Sequence, residues 1–124
     1  MQTISSKSAP AAIGPYSQGV ISGNFLFTSG QIPLLPEDGT FAGGTIEEQT
    51  QRVLKNLDAV LAVAGTSWNK VVKTTVFLTD LADFGKMNEI YGKHLGEARP
   101  ARSTVQVAAL PRGAKVEIEL VAEV

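Results

Sequence analysis

Two charged residues stand where strand alternation could put them to chemical use. In PARSTVQVAAL (Pro100 to Leu110), Val105, Val107 and Ala109 form one phase of a period-two pattern, and Arg102, Thr104 and Gln106 form the other. Side chains of one phase share one face of a strand. A guanidinium at the head of that polar face meets water, closes a salt bridge with Glu117 or Glu119, or holds an anion, for which its planar fork is suited. In KVEIEL (Lys115 to Leu120) the apolar phase is Val116, Ile118 and Leu120, so Glu117 and Glu119 share the other face. On their own they read as solvated sheet carboxylates.

Other chemistries find little support. There are no cysteines, which removes thiolate nucleophiles, disulfides and Cys-based metal sites. His94 is the only histidine; it falls near the end of a helix with no second element for a Ser-His-Asp or metal arrangement, so a surface position is expected. The glycines of GTFAGG lack the spacing of a phosphate-binding loop. Net charge is −1, which offers no positive field for nucleic acid. No apolar run approaches a membrane span and no charged-then-apolar leader pattern opens the chain, so a cytoplasmic protein without membrane contact is expected.

The elements that must position these residues follow from patterning. The 124 residues, 44 % apolar and 19 % charged, suit one domain with a hydrophobic core, spanning 1–124. Ala9 to Val20 is rich in Pro and Gly and reads as an ordered surface loop. Gly23-Asn24 forms a turn before a strand from Phe25 to Ser29. Thr45-Ile-Glu-Glu48 is a capping box, and Ile46, Val53, Leu54, Leu57, Val60, Leu61 and Ala64 form one helical stripe ended by Gly65. NKVVKTTVFLTD is a strand. A second helix runs from about Asp83 to Leu95, with Phe84, Met87, Tyr91 and Leu95 on one side and Phe84 expected in the core. Trp68 is expected to anchor packing after the first helix. Strands near 102–108 and 115–123 follow, joined by the Leu110-Pro-Arg-Gly113 turn; whether they pair or straddle another strand is left open by the pattern. The result is an α+β domain with two helices on one face of a mixed sheet. FLFT (Phe25 to Thr28) and the strand around Val71 to Leu78 are apolar in both phases. The uncovered face is therefore partly apolar, and a homo-oligomer packed through it is expected.

GPYSQ (Gly14 to Gln18), FTSGQIP (Phe27 to Pro33), VVKTTVFLTDLADF (Val71 to Phe84), PARS (Pro100 to Ser103) and KVEIE (Lys115 to Glu119) together resemble the RidA (YjgF) family of reactive-intermediate, or imine, deaminases, in order and nearly end to end. The resemblance implies a chorismate-mutase-like α+β fold, a homotrimer and three clefts at the subunit interfaces. It implies hydrolysis of 2-imino acids such as 2-iminobutanoate and 2-iminopropanoate, formed from enamines released by pyridoxal-phosphate dehydratases, to 2-oxo acids and ammonia. No metal or organic cofactor is implied.

By the same resemblance, Arg102 holds the substrate carboxylate and Glu117 positions or deprotonates the attacking water. Tyr16 closes the cleft, and Ser29 and Gly30 line it. Asn88 matches a recurrent family position on the second helix. Thr104 stands where well-known members have cysteine; its hydroxyl keeps similar size and hydrogen-bonding capacity. GEARPARS is shorter than in some members. The alternatives are an endoribonuclease or translation-inhibiting protein, a label some members have borne, and a non-catalytic ligand-binding trimer.

Overall fold

A computed structural model describes residues 1–124. The elements, in chain order, are β1 (Gln2–Ile4), β2 (Gly19–Ser22), β3 (Phe25–Thr28), α1 (Ile46–Val63), β4 (Val71–Leu78), α2 (Phe84–Leu95), β5 (Ala101–Gln106) and β6 (Val116–Glu123). They build one six-stranded sheet ordered β1-β2-β3-β6-β4-β5. Every pairing is antiparallel except β4 with β5. The α+β class, the mixed sheet and the two helices on it agree with the sequence pattern. The last strand resolves the open question: β6 inserts between β3 and β4, so β5 and β6 straddle β4 and the Leu110–Gly113 turn is no hairpin.

Local chemistry accounts for the elements. Thr45 caps α1 reciprocally: its Oγ1 accepts from Glu48 N (3.1 Å) and the Glu48 carboxylate accepts from Thr45 N (3.2 Å). Gly65 stops the helix with φ 77°, a conformation costly for any residue with a Cβ. The α1 stripe is buried as patterned and packs with Val76, Leu78, Ile118 and Leu120 into a single core. Gly23-Asn24 closes a two-residue hairpin, Ser22 pairing Phe25.

Three departures are informative. β1 and the start of β2 occupy sequence that reads as polar or loop; they form because hairpin partners supply their backbone bonds, which composition does not display. Phe84 is 37 % exposed, not core, because it sits at the helix start over the sheet edge. His94 is not a free surface imidazole: its Nε2 lies 2.7 Å from Asp58 Oδ1, which also accepts from Trp68 Nε1 at 2.6 Å, so one carboxylate ties α2 and the segment after α1 to α1 itself.

Buried amides fix the loops. Asn56 is fully buried in α1; its Nδ2 donates to Leu34 O (3.0 Å) and Ile32 O (3.4 Å), and its Oδ1 accepts from Arg52 Nε (3.0 Å). Gln49 Oε1 accepts from Lys115 N (2.9 Å), just before β6. These bonds hold the loop after β3 and the start of β6 to one helix. No helix is long and apolar enough to cross a membrane. Asn56→Ala leaves the Leu34 carbonyl without its amide donor and is expected to cost about 1–3 kcal/mol in guanidinium denaturation at fixed protein concentration; a change within 0.3 kcal/mol, roughly the error of such a comparison, would show that the loop is held by other means.

Candidate functional site

The sheet has two faces, and the two charged residues lie on different ones. In β6 the buried phase is Val116, Ile118, Leu120 and Ala122, under α1. Glu117 and Glu119 therefore face the open side, where they pair in register with Phe77 and Thr75 of β4. In β5, Arg102 and Thr104 are in register with Thr74 and Val76, both fully buried on the helix side. The phase of β5 that looks apolar is the uncovered one: Val105 is 42 % exposed. β5 is an edge strand in parallel register with β4, so the burial of Thr74 and Val76 decides its orientation, and its own hydrophobicity does not.

On the helix side, Arg102 is held by α2. Its NH1 donates to Asn88 Oδ1 (2.7 Å). Its Cζ stands 4.9 Å from the ring centroid of Tyr91 and 5.5 Å from that of Phe84, within cation–π range. Tyr91 is in turn fixed by a buried 2.8 Å hydrogen bond between its hydroxyl and that of Thr74. The guanidinium forms no ion pair; the three in the chain are Lys86–Glu47, Lys93–Glu89 and His94–Asp58. The salt bridge to Glu117 or Glu119 allowed by the sequence is thus absent. Arg102, Asn88 and Tyr91 line a cavity of about 450 Å³ between α2 and the start of β5. Phe84, Asn88 and Tyr91 follow i, i+4, i+7 spacing on one helix face; that spacing was the available signal for Tyr91, whose support of Arg102 the sequence reading missed.

On the open side, Glu117 packs against the end of β3. Gln31 and Ile118 exchange backbone bonds (Gln31 N to Ile118 O 2.8 Å, Ile118 N to Gln31 O 3.2 Å), which brings Gly30 alongside Glu117. A Cβ on Gly30 would lie 2.7 Å from Glu117 Cδ, so a larger residue there would force the carboxylate to swing away from this position. Burial pushes the Glu117 carboxyl above the ordinary 4.5, and the charge of Glu119 adds to the push. Tyr16, Gly30 and Glu117 line a second cavity of about 770 Å³. Tyr16 is 52 % exposed at its mouth. Arg112, unremarked in the sequence, also lines it; it adopts φ 58°, in the left-handed region, with NH1 donating to Gly39 O (2.8 Å).

Two expected site residues line neither cavity. Ser29 Oγ donates to Ser17 O (2.6 Å), tethering the Tyr16 loop to the end of β3. Buried Gln18 completes that tether, accepting from Ser6 N (2.6 Å) and donating to Pro10 O (2.8 Å). Thr104 Oγ1 is buried without a hydrogen-bond partner, on the face it shares with Arg102. The seven expected residues thus divide: Tyr16, Gly30 and Glu117 with one cavity, Asn88 and Arg102 with the other, Ser29 behind the first, and Thr104 beside Arg102. The two cavities share no residue. No three His, Asp or Glu side chains converge as a metal ion would require.

Comparison with known proteins locates this arrangement. Residues 6–124 match the family model described as Endoribonuclease L-PSP. A mouse relative, 2-iminobutanoate/2-iminopropanoate deaminase, is 50 % identical over 121 residues, covering 98 % of this chain and 90 % of the relative. The crystal structure of RidA from an Antarctic Psychrobacter is 46 % identical, covers 100 % of both chains and superposes with a TM-score of 0.95. Escherichia coli TdcF with bound serine is 43 % identical over 100 % of this chain and 99 % of its own, also with a TM-score of 0.95.

The raised Glu117 has a thermodynamic signature. The folded state holds its proton more tightly than the unfolded chain, so stability falls as pH rises from the ordinary glutamate range through the higher folded value. Glu117→Gln carries no charge to desolvate. Its melting temperature is expected to exceed that of the unsubstituted protein near about pH 8 and to converge with it near about pH 4; a constant offset between the two curves would exclude the desolvated carboxylate as the cause.

Proposed function

The chain belongs to the RidA/YjgF family, and from that premise we propose that it hydrolyses short 2-imino acids to 2-oxo acids and ammonia. The observation that carries this reading is the pair of prepared groups: an unpaired guanidinium held by an aromatic ring and an amide, and a carboxylate of raised proton affinity beside a glycine. The mouse relative named 2-iminobutanoate/2-iminopropanoate deaminase supports the reaction class.

The chemistry divides between the two groups. The Arg102 fork binds the substrate carboxylate and orients the C=N carbon. With the imine protonated, a water oxygen bonds to that carbon while Glu117 takes its proton, and the C=N electron pair moves to nitrogen. A neutral carbinolamine results. The proton returns from Glu117 to the amino group, the C–N bond breaks, and the hydroxyl oxygen forms the carbonyl as its proton leaves with the nitrogen. Water and iminium become 2-oxo acid and ammonium. A carboxyl raised toward neutrality exchanges protons more readily in both directions than an ordinary one. Tyr16 covers the substrate.

Within one chain this cannot happen, because Arg102 and Glu117 lie on opposite sheet faces with β4 between their strands. We infer that the two halves meet across subunit boundaries in a homotrimer. The open face carries apolar groups to support such an assembly: Phe27 is 47 % exposed with Phe25 exposed beside it on β3, and Val105 is exposed at the far edge of the sheet on β5.

Glu117→Gln is expected to slow imine hydrolysis by roughly two to four orders of magnitude, with retained binding of 2-oxo acids. Arg102→Ala is expected to abolish both, and Arg102→Lys to rescue poorly, since an ammonium keeps charge but loses the fork. The shared site has a sharper consequence. Arg102→Ala and Glu117→Gln proteins, each with at most about a hundredth of full activity, are expected to regain about a quarter of it when unfolded, mixed in equal amounts and refolded, because a quarter of randomly assembled boundaries join two intact halves. No recovery in a well-refolded mixture would show that the two groups do not meet across a subunit boundary and overturn the arrangement.

A second reading, RNA cleavage, is favoured by the description of the family model. The sole histidine is committed to Asp58 at 2.7 Å, away from both cavities, and the net charge is −1. Highly purified protein is expected to leave RNA intact on gels; degradation that disappears in Arg102→Ala and Glu117→Gln would move this reading ahead.

A further inference from the structure

The Arg102 cavity contains a second guanidinium that hydrolysis of a simple imino acid does not use. Arg99 lines it together with Arg102, Asn88 and Tyr91, and no acidic side chain does. Neither arginine forms an ion pair. Two positive charges therefore face one concavity with no acidic group of the same chain to neutralise them, an arrangement that favours a ligand carrying two negative charges.

Arg99 is held in place before any ligand arrives. α2 ends at Leu95, and Gly96 turns the chain with φ 63°. Arg99 NH1 then donates to Gly96 O (2.6 Å) and Ala98 O (2.8 Å). Pro100 follows, which pins its own φ and restricts Arg99 to extended backbone. Both NH1 hydrogens are consumed by these carbonyls, leaving Nε and NH2 as one edge of the fork. The orientation of a long side chain is thus already set, which lowers the entropy lost on binding an anion. At the other arginine, NH1 is engaged by Asn88, and the remaining donors stay available for the carboxylate next to the reacting carbon.

We propose that Arg99 selects for a second carboxylate, so that the substrates include 2-imino dicarboxylic acids, with the carboxylate beside the imine on Arg102 and the distal one on Arg99. This rests on the deaminase reading above. The reaction is unchanged: water adds to the C=N carbon, ammonium leaves, and neither carboxylate is altered. The competing explanation is that Arg99 only caps α2, for which its two carbonyl bonds suffice.

Amino-acid oxidases generate 2-iminoglutarate from glutamate and 2-iminobutanoate from 2-aminobutanoate, and disappearance of each imine is followed with the unsubstituted protein, Arg99→Gln and Arg99→Lys. The ratio of kcat/KM for 2-iminoglutarate over 2-iminobutanoate is expected to fall about tenfold or more in Arg99→Gln, mainly through KM, and to be largely kept in Arg99→Lys, which retains the charge. Loss of melting temperature with an unchanged ratio would reduce Arg99 to a helix cap. Calorimetric titration with 2-oxoglutarate and 2-oxobutanoate separates this inference from the one beneath it. If neither imine is hydrolysed, the deaminase reading fails. Arg99-dependent preference for 2-oxoglutarate would still uphold the dianion site, and equal binding of the two oxo acids would overturn it.

Discussion

The strand that enters last, β6, is the one on which the rest of the arrangement depends. Val116, Ile118, Leu120 and Ala122 are almost wholly buried against α1, and together they bind the central sheet to its helical layer at roughly 1.5–3 kcal/mol for each large side chain. Strand side chains alternate strictly, so that burial commits Glu117 and Glu119 to the open face. A slip of one residue would drive two carboxylates into the core and expose four apolar groups. The position of the candidate base is therefore enforced by hydrophobic burial on the reverse side of its own strand. The bridge between Ile118 and Gln31 extends this control to Gly30 and the loop beyond it.

Much of this was legible in the sequence, for identifiable reasons. The α1 stripe, the Thr45 box and the Gly65 stop each express a local rule, and each appears as patterned. The alternation in KVEIEL assigned Glu117 to the face opposite the core. The alternation in PARSTVQVAAL was equally regular yet could not say which phase lies inward, because that depends on the parallel register with β4, a pairing between residues about thirty positions apart. Val105 and Arg102 accordingly exchanged their naive places. Phe84 read as core because a phenylalanine at helical spacing carries no mark that its neighbour will be a guanidinium. Ser29 read as a pocket hydroxyl, whereas its acceptor is the Ser17 carbonyl, a contact made by chain folding.

The polar residues that fold reasoning leaves aside turn out to position the site. Gln18, Gln49 and Asn56 are all buried, and each bonds to backbone of a loop or strand end next to a cavity. A buried amide must find such partners or lose on the order of 1–3 kcal/mol, so it pins irregular chain that no hydrophobic contact would hold. Tyr91 acts alike on the helix side, with its ring beneath Arg102 and its hydroxyl fixed to Thr74. Rigid elements thereby support groups whose usefulness depends on orientation.

Separating Arg102 from Glu117 on opposite faces also keeps both groups free. Had one chain placed them on the same face within ion-pair reach, the guanidinium would stabilise the carboxylate's charge, draw its proton affinity down and occupy its own fork. The only charged neighbour acting on Glu117 is instead another carboxylate, Glu119, which works with burial to raise it. Arg102 meanwhile is satisfied by a neutral amide and two aromatic rings, partners that hold its direction and leave its charge uncompensated. In the assembly proposed here, the two would approach each other only across a subunit boundary with a substrate between them. The substrate carboxylate would then neutralise the guanidinium, and the base would keep the high proton affinity that water activation requires. On that reading the alternation of two strands, set by burial alone, prevents the salt bridge that would otherwise quench the site before substrate enters.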